Sequence, residues 1–277
     1  MRIMRVTCPQ SNHLGGLPIR VLRTAKKYLY ALGSAIYMFT LGMRHTRERM
    51  HVYQIADWHG YPSPVPTCTV PEVEADEISD PTTAIELRHP IGVDGNVPLA
   101  QLVVMMRLIR THDPQGIFEI GTFDGRTTLN MAANAGSDAR IVTLDLPAGQ
   151  IQDAALPTDV GDSAYSEKAA SGARFKGSPL ASKITQVFGD SATFDFGPHA
   201  GQMDLVFIDG SHSYEYVLSD TENARKLLRN GKGWILWDDY GIWEGVTRAL
   251  NELHGTNPDY ADMLHVKGTP LALIQFC

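Results

Sequence analysis

Short apolar runs alternate with stretches of helical periodicity through the last two thirds of the chain. Apolar positions recur at helical spacing over residues 97–110, ahead of an apolar run at residues 117–120. Further strand-like runs cover residues 140–144, 184–188, 203–208 and 233–237, and helix-like stretches cover residues 127–135, 214–229 and 243–253. This alternation predicts an α/β fold with a doubly wound, mostly parallel sheet and right-handed crossovers.

The C-terminal segments depart from the alternation. Two apolar runs, residues 263–266 and 271–276, flank the turn-like sequence Lys267-Gly-Thr-Pro270. We therefore predict a seven-stranded sheet that ends in an antiparallel hairpin. Such a hairpin separates this pattern from an ordinary dinucleotide-binding fold.

Composition changes abruptly before this body. Residues 60–82 are rich in proline and turn-forming residues, which is typical of a linker. We predict a basic accessory segment with its linker at residues 1–82 and a catalytic domain at residues 83–277. With 277 residues and 43% hydrophobic content, the chain can bury one substantial core.

Charge divides the chain in the same way. Residues 1–50 hold nine Lys/Arg and one acid, whereas the remainder holds fifteen Lys/Arg and thirty acids. An acidic body argues against nucleic acid as the main partner, because phosphate neutralisation requires a basic face. The three cysteines are scattered and show no metal or disulfide spacing, which favours a reduced, cytoplasmic setting.

The basic head contains an uncharged stretch at residues 28–43. It is too short to span a bilayer, since about 20 helical residues are needed. Basic residues on both sides predict one of two roles for residues 20–49: peripheral contact with an anionic membrane at its inner face, or packing on the body or on a second subunit of a homo-oligomer.

A glycine-containing loop follows the first strand, with the sequence Glu119-Ile-Gly-Thr-Phe-Asp-Gly125. Gly121 and Gly125 would open the backbone amides at a helix start to a ligand, although glycines there also serve packing alone. The spacing is not the GxGxxG of dinucleotide folds. Acids in the loop suit a cationic ligand such as S-adenosylmethionine better than a pyrophosphate.

Each later strand that leads into a helix ends in aspartate. These residues are Asp145, Asp190, Asp209 and the pair Asp238 and Asp239. Ligands of open α/β sheets bind beyond the carboxyl ends of the strands, so these carboxylates should converge at one edge. Aspartate also caps helices, which is the alternative for any single one.

These features together resemble the class I S-adenosylmethionine-dependent methyltransferases, whose fold is Rossmann-like, from about residue 97 to the C-terminus. The resemblance implies that the loop, including Thr122 and Phe123, contacts the methionine part of the cofactor. It also implies that Asp145 binds the ribose hydroxyls and that Asp190, with the adjacent Ser191, lies by the adenine.

Two further motifs, Phe207-Ile-Asp-Gly-Ser-His-Ser-Tyr214 and Trp237-Asp-Asp-Tyr-Gly241, resemble a metal-dependent subgroup. It comprises relatives of the macrolide-sugar and catechol O-methyltransferases. The resemblance implies that Asp209 borders the cofactor and that Asp209, Asp238 and Asp239 bind a metal. The subgroup has a basic residue three positions after the first of these aspartates, and here that residue is His212.

Elementary chemistry points the same way. Three neighbouring carboxylates repel one another unless a cation lies among them, and an all-oxygen set suits Mg²⁺. We hypothesise that His212 is the general base, the alternative being a helix cap. Tyr240 and Trp243 either line an acceptor pocket or belong to the core, and the long connection at residues 147–182 is interpreted as a lid over the acceptor.

The predicted function is methyl transfer from S-adenosylmethionine to a hydroxyl of a small molecule, assisted by Mg²⁺. Two alternatives remain open at this point: a metal-independent methyltransferase, and a non-catalytic scaffold at a membrane surface that keeps its cofactor pocket. A dinucleotide-dependent oxidoreductase is disfavoured by the loop spacing and the terminal hairpin.

Overall fold

The computed structural model describes residues 16–44, 52, 55, 66–166 and 170–277. Contacts divide the chain into two compact units, residues 1–62 and residues 63–277, and each is described by itself. The predicted boundary at residues 82 and 83 stays a prediction.

The first unit contains one long helix. Helix α1, Gly16–Met38, is followed by a single 3-10 turn, Leu41–Arg44. The predicted uncharged stretch begins inside α1 and runs to the end of this turn. Among the described residues, no helix is both long enough and apolar enough to cross a bilayer.

The second unit is built around one sheet. Its strands are β1 (Glu72–Val73), β2 (Gly116–Ile120), β3 (Arg140–Asp145), β4 (Ile184–Phe188), β5 (Leu205–Ile208), β6 (Gly233–Trp237), β7 (Leu264–Val266) and β8 (Ala272–Phe276). Its helices are α2 (Ala75–Ile78), α3 (Leu99–His112), α4 (Arg126–Asn134), α5 (Ser163–Ser166), α6 (Tyr214–Leu227) and α7 (Glu244–Thr256).

The strand order is β1-β7-β8-β6-β5-β2-β3-β4. All neighbouring strands are parallel except at β8, which is antiparallel to β6 and to β7. The predicted fold class and C-terminal hairpin are therefore confirmed, with one strand more than the seven expected. The order reverses between β5 and β2, which places a ligand crevice at their carboxyl ends.

The additional strand comes from the segment predicted as a linker. In β1, Glu72 and Val73 pair with His265 and Val266 of β7. Pro71 lies directly before β1, and its carbonyl accepts from His265 N at 2.8 Å. Proline is tolerated at the start of an edge strand because its missing N–H faces away from the ladder. Part of the proline-rich stretch thus belongs to the sheet.

Alternate residues of the central strands fill two separate cores. On one face Phe118 and Val206 pack in a cluster with α6 and α7, whereas on the other Ile117 and Leu205 pack with α3 and α4. A parallel sheet covered on both faces requires such apolar strands. Because the strand interiors are mostly apolar, the groups that can meet a ligand lie at the strand ends.

Candidate active site at the carboxyl edge of the sheet

The loop after β2 passes very close to the end of β5. Gly121 has a φ of 95°, and a Cβ there would lie 1.8 Å from the backbone oxygen of Asp209. Gly125 has a φ of 82°, and a Cβ there would lie 2.6 Å from the Phe175 ring. Both positions require glycine because of backbone conformation and of space.

A cavity opens beside this loop, beyond the ends of β2, β3, β4 and β5. It holds about 730 Å³ of atom-free space, its open mouth included. Six predicted cofactor residues line it: Gly121, Phe123, Asp145, Asp190, Ser191 and Asp209. Its apolar wall includes Leu146 and Ile151 from the chain after β3.

Asp145 presents its carboxylate at the end of β3. Its Oδ2 accepts from the Ser171 hydroxyl, and its Oδ1 accepts from Thr122 N at 3.4 Å. Burial raises the pKa of Asp145 above its ordinary value, against the lowering effect of these bonds. This carboxylate is thus already arranged to accept hydroxyl donors.

Asp190, which follows β4, is held more completely. Its Oδ1 accepts from the Tyr216 hydroxyl at 2.8 Å and from Ala192 N at 2.9 Å. Its Oδ2 accepts from Ala155 N at 2.7 Å. The backbone donor from Ala155 shows that the long connection closes over this end of the cavity.

Glu119 is not at the cavity. Its side chain is fully buried on the face of β2 that packs on α4, where Oε2 accepts from Thr143 at 2.6 Å and from Thr128. Burial raises its pKa to about 8, so the carboxyl is mostly protonated near neutral pH. Thr122, bonded to Thr143, and Gly125 also lie outside the cavity wall.

The second acid of the loop is neutralised. Asp124 accepts from Arg174 Nε at 2.8 Å and from Asn96 Nδ2 at 3.1 Å. It also caps α4 by accepting from Arg126 N at 2.9 Å. The argument that the loop itself offers negative charge to a cationic ligand is therefore wrong, because the carboxylates facing the cavity come from strand ends.

Three of the strand-end carboxylates form a cluster, and Asp209 among them also lines the cavity. One oxygen each from Asp209, Asp238 and Asp239 lies within 4.8 Å of the others. Burial and the neighbouring Asp239 charge raise the pKa of Asp238 to about 8, and burial with Asp238 and Asp239 raises that of Asp209 well above its ordinary value. Mutual repulsion of this kind is relieved by a bound cation.

The acid pair is held by a buried amide from α3. Gln101 is fully buried, and its Nε2 donates to Asp238 Oδ1 at 2.9 Å. The same oxygen accepts from Asp239 N at 2.7 Å. Asp239 adopts a left-handed backbone conformation with a φ of 66°. This arrangement fixes Asp238 while leaving its second oxygen for a ligand.

His212 lies between two carboxylates. Its Nδ1 contacts Asp162 Oδ1, and its Nε2 lies 2.9 Å from Asp239 Oδ2. The Trp243 ring stacks on the imidazole with ring centroids 4.1 Å apart. The two carboxylates raise the pKa of His212 well above its ordinary value despite burial. Both ring nitrogens thus face carboxylate oxygens, an arrangement that favours the protonated imidazole.

Asp162 is the residue that sequence reasoning missed. It belongs to the long connection, lines the cavity, and accepts from Ser211 Oγ at 2.6 Å and from Asp159 N at 3.0 Å. The connection also carries Asp153, and no spacing distinguishes Asp162 from its neighbours. Only the fold brings it to His212, fifty residues away.

The two aromatic candidates separate. The Tyr240 hydroxyl accepts from the backbone of Thr69 and Val70 and donates to Asn251 Oδ1 at 2.6 Å, so Tyr240 ties the chain before β1 to α7. Trp243, in contrast, contacts the site through His212.

The sequence from residue 118 to 240 matches the model of a family described as a methyltransferase domain. No curated protein sequence matches the chain significantly. The matched segment includes all the strand-end aspartates and His212.

Several solved structures are similar. Podospora anserina methyltransferase PaMTH1, bound to SAH, is 20% identical, with 66% of this chain and 81% of that chain covered and a TM-score of 0.49. The O-methyltransferase TomG from Streptomyces achromogenes, involved in tomaymycin synthesis and in complex with SAM, is also 20% identical, with 74% and 90% covered and a TM-score of 0.43. An O-methyltransferase from Bacillus cereus in complex with SAH is 18% identical, with 66% and 84% covered and a TM-score of 0.47.

The sheet order and the strand-end site define a Rossmann-like class I methyltransferase fold. Residues 118–240 are similar to a methyltransferase domain. The predicted resemblance is confirmed at this level.

Proposed function

We propose that the protein transfers a methyl group from S-adenosylmethionine to a hydroxyl of a small-molecule acceptor, with Mg²⁺ bound by Asp209, Asp238 and Asp239. The observation that carries this proposal is the position of Asp209. It lines the cavity and also belongs to the carboxylate cluster. Methyl donor and activated oxygen would therefore meet at one residue.

The cavity fits the predicted cofactor. Asp145 already accepts a hydroxyl, from Ser171, as it would from a ribose, and a carboxylate makes charge-assisted bonds of this kind. Asp190 and the apolar Leu146 and Ile151 provide a polar and a non-polar wall beside it. Asp209 supplies negative charge for the sulfonium and the amino group.

The cluster fits a divalent metal by its donors. All three groups offer carboxylate oxygens, and among the described residues the hydrogen bonds to the buried Asp238 go to one oxygen, Oδ1. When bound, Mg²⁺ lowers the pKa of a coordinated hydroxyl. Gln101 and the backbone of Asp239 hold Asp238 in place for that role.

His212 is the proposed general base, and its present bonds set a condition on that role. Nε2 must be released from Asp239 before it can accept a proton, whereas Asp162 would keep the proton on Nδ1. We propose that Asp239, when it holds the cation, would no longer accept from Nε2; the Nε2 proton would then leave to solvent, and Asp162 would hold the neutral imidazole through Nδ1–H with Nε2 facing the acceptor.

The connection at residues 147–182 is proposed to enclose both substrates. Ser171 and Ala155 bond to Asp145 and Asp190, and Asp162 bonds to His212. Its deletion should therefore weaken cofactor binding as well as acceptor binding. This differs from a lid that covers the acceptor alone.

Calorimetric titration with S-adenosylhomocysteine, in Mg²⁺ and in EDTA, followed by a methyl-transfer assay on catechols and sugar hydroxyls, tests the proposal. We expect binding in both conditions and turnover that requires Mg²⁺. Turnover in EDTA would favour the metal-independent alternative, and binding without turnover on the whole panel would favour a scaffold. Absence of binding would contradict all three.

A further inference from the structure

Helix α1 has an apolar side and a basic side. At 3.6 residues per turn, one side of the helix collects the positions Tyr28, Leu29, Leu32 and Ile36, which we call the apolar side. By sequence spacing alone the opposite side collects the positions Arg20, Arg23, Lys27 and Ser34, which we call the basic side, and Lys26 lies between the two sides. Residues 16–44 contain no aspartate or glutamate.

The apolar side is open to solvent. Tyr28 is 73% exposed, Leu29 69%, Leu32 59% and Ile36 58%. Exposed apolar residues continue beyond the helix at Phe39 and Leu41. Single exposed apolar residues are ordinary, but a contiguous patch along more than two helical turns marks an interaction surface.

The charge of the helix selects the partner. Four basic residues within α1, with no acid among them, would repel a second copy of the same helix. The same charges attract a surface of anionic headgroups. A basic amphipathic helix of this length suits the interface of a bilayer, where the apolar side enters the acyl boundary.

We propose that α1 lies flat on an anionic lipid bilayer, with its apolar side in the acyl boundary and its basic side among the headgroups. The helix contains 23 residues, so it would extend about 35 Å along the surface. The proposal is independent of the methyl-transfer reaction.

Flotation of the full-length protein with vesicles tests it. One set of vesicles contains phosphatidylglycerol and phosphatidylcholine, and the other contains phosphatidylcholine alone. We expect the protein to bind the anionic vesicles and to bind the neutral vesicles at least about tenfold more weakly. Affinity for the anionic vesicles should fall in about 0.5 M salt. Absence of binding to anionic vesicles would overturn the proposal.

A matched pair of variants tests the orientation. Leu32→Asn with Ile36→Asn alters the apolar side, whereas Ala31→Asn with Ser34→Asn introduces the same residue type on the basic side, at two exposed positions. We expect the first variant to lose at least about tenfold in vesicle affinity and the second to stay within about threefold.

Equal losses in the two variants would overturn the assigned orientation. Sedimentation tests the rival occupant. The wild-type protein would then bind no vesicles and would sediment as a dimer, and the variant Leu32→Asn with Ile36→Asn would sediment as a monomer. That outcome would show that a second copy covers the apolar side.

Discussion

Two groups of carboxylates lie along the same edge of the sheet and differ in how their oxygens are satisfied. Asp145 and Asp190 accept hydrogen bonds from hydroxyl and backbone donors, and Asp190 has several such donors. Asp209, Asp238 and Asp239 instead lie against one another, with burial and mutual repulsion raising the pKa of the first two. Donor-rich carboxylates suit a ribose, and crowded ones suit a cation.

The largest expected effect is on turnover, and it comes from a substitution at Asp239 that should leave cofactor affinity unchanged. The isosteric Asp239→Asn change removes one charge from the cluster and should lower Mg²⁺-dependent turnover by at least about a hundredfold. Affinity for S-adenosylhomocysteine, measured calorimetrically, should stay within about threefold of wild type. Unchanged turnover would break the proposed division between the two groups.

The opposite result is expected from Asp145→Asn. Loss of a charge-assisted bond to a ribose should reduce S-adenosylhomocysteine affinity about 10- to 100-fold. Thermal stabilisation by Mg²⁺ should persist, because Asp145 is not in the cluster. Asp153→Asn, an exposed carboxyl of the connection, is the matched control and should bind as wild type does. Equal affinities in both variants would contradict the ribose role.

Asp162→Asn tests whether the connection at residues 147–182 contributes to catalysis beside the cluster of Asp209, Asp238 and Asp239. Asparagine retains the size but removes the charge beside His212 Nδ1, so kcat should fall about tenfold. The KM for S-adenosylmethionine should change little, which distinguishes positioning of His212 from a general loss of structure. A loss confined to KM would contradict the assignment.

The smallest effect concerns stability and pH without metal. The pKa of Asp238 is raised in the folded protein to about 8, from about 4 when unfolded. The folded state therefore binds more protons between these values, and stability falls as pH rises from about 4 to 8. Buried Glu119, with a pKa of about 8, acts in the same direction.

Mg²⁺ should offset the share of this stability loss that comes from Asp238. It should therefore raise Tm by a few degrees at about pH 8 and by less at about pH 5. Scanning calorimetry of wild type and Asp238→Asn provides the measurement, because the variant keeps the Glu119 contribution. An identical response to Mg²⁺ in both proteins would contradict the cluster as the binding site.

Much of the fold could be predicted because its signals are local. The period of two in strands and the period near 3.6 in helices set the αβ alternation, and the turn at residues 267–270 set the hairpin. The pair Glu72 and Val73 escaped prediction, since two residues after proline form a strand only when β7 offers an edge.

The candidate site was predicted in part. The strand-end rule located Asp145, Asp190, Asp209, Asp238 and Asp239 at one edge, because parallel strands all present their carboxyl ends there. Glu119 was predicted from the loop motif instead, and its position within β2 turns the side chain to the α4 face. The direction of a side chain depends on alternation within the strand, and proximity to the loop does not override it.

The sequence by itself determined the order of the elements, the aspartates at the strand ends and the basic periodicity of α1, because each depends on residues near one another in the chain. Tertiary structure decided which carboxylates remain charged towards the cavity and which side chains meet. Arg174 neutralises Asp124, and Asp162 reaches His212. Such pairings join residues about fifty positions apart, and burial and distance, which set a charge's effect, exist only after folding.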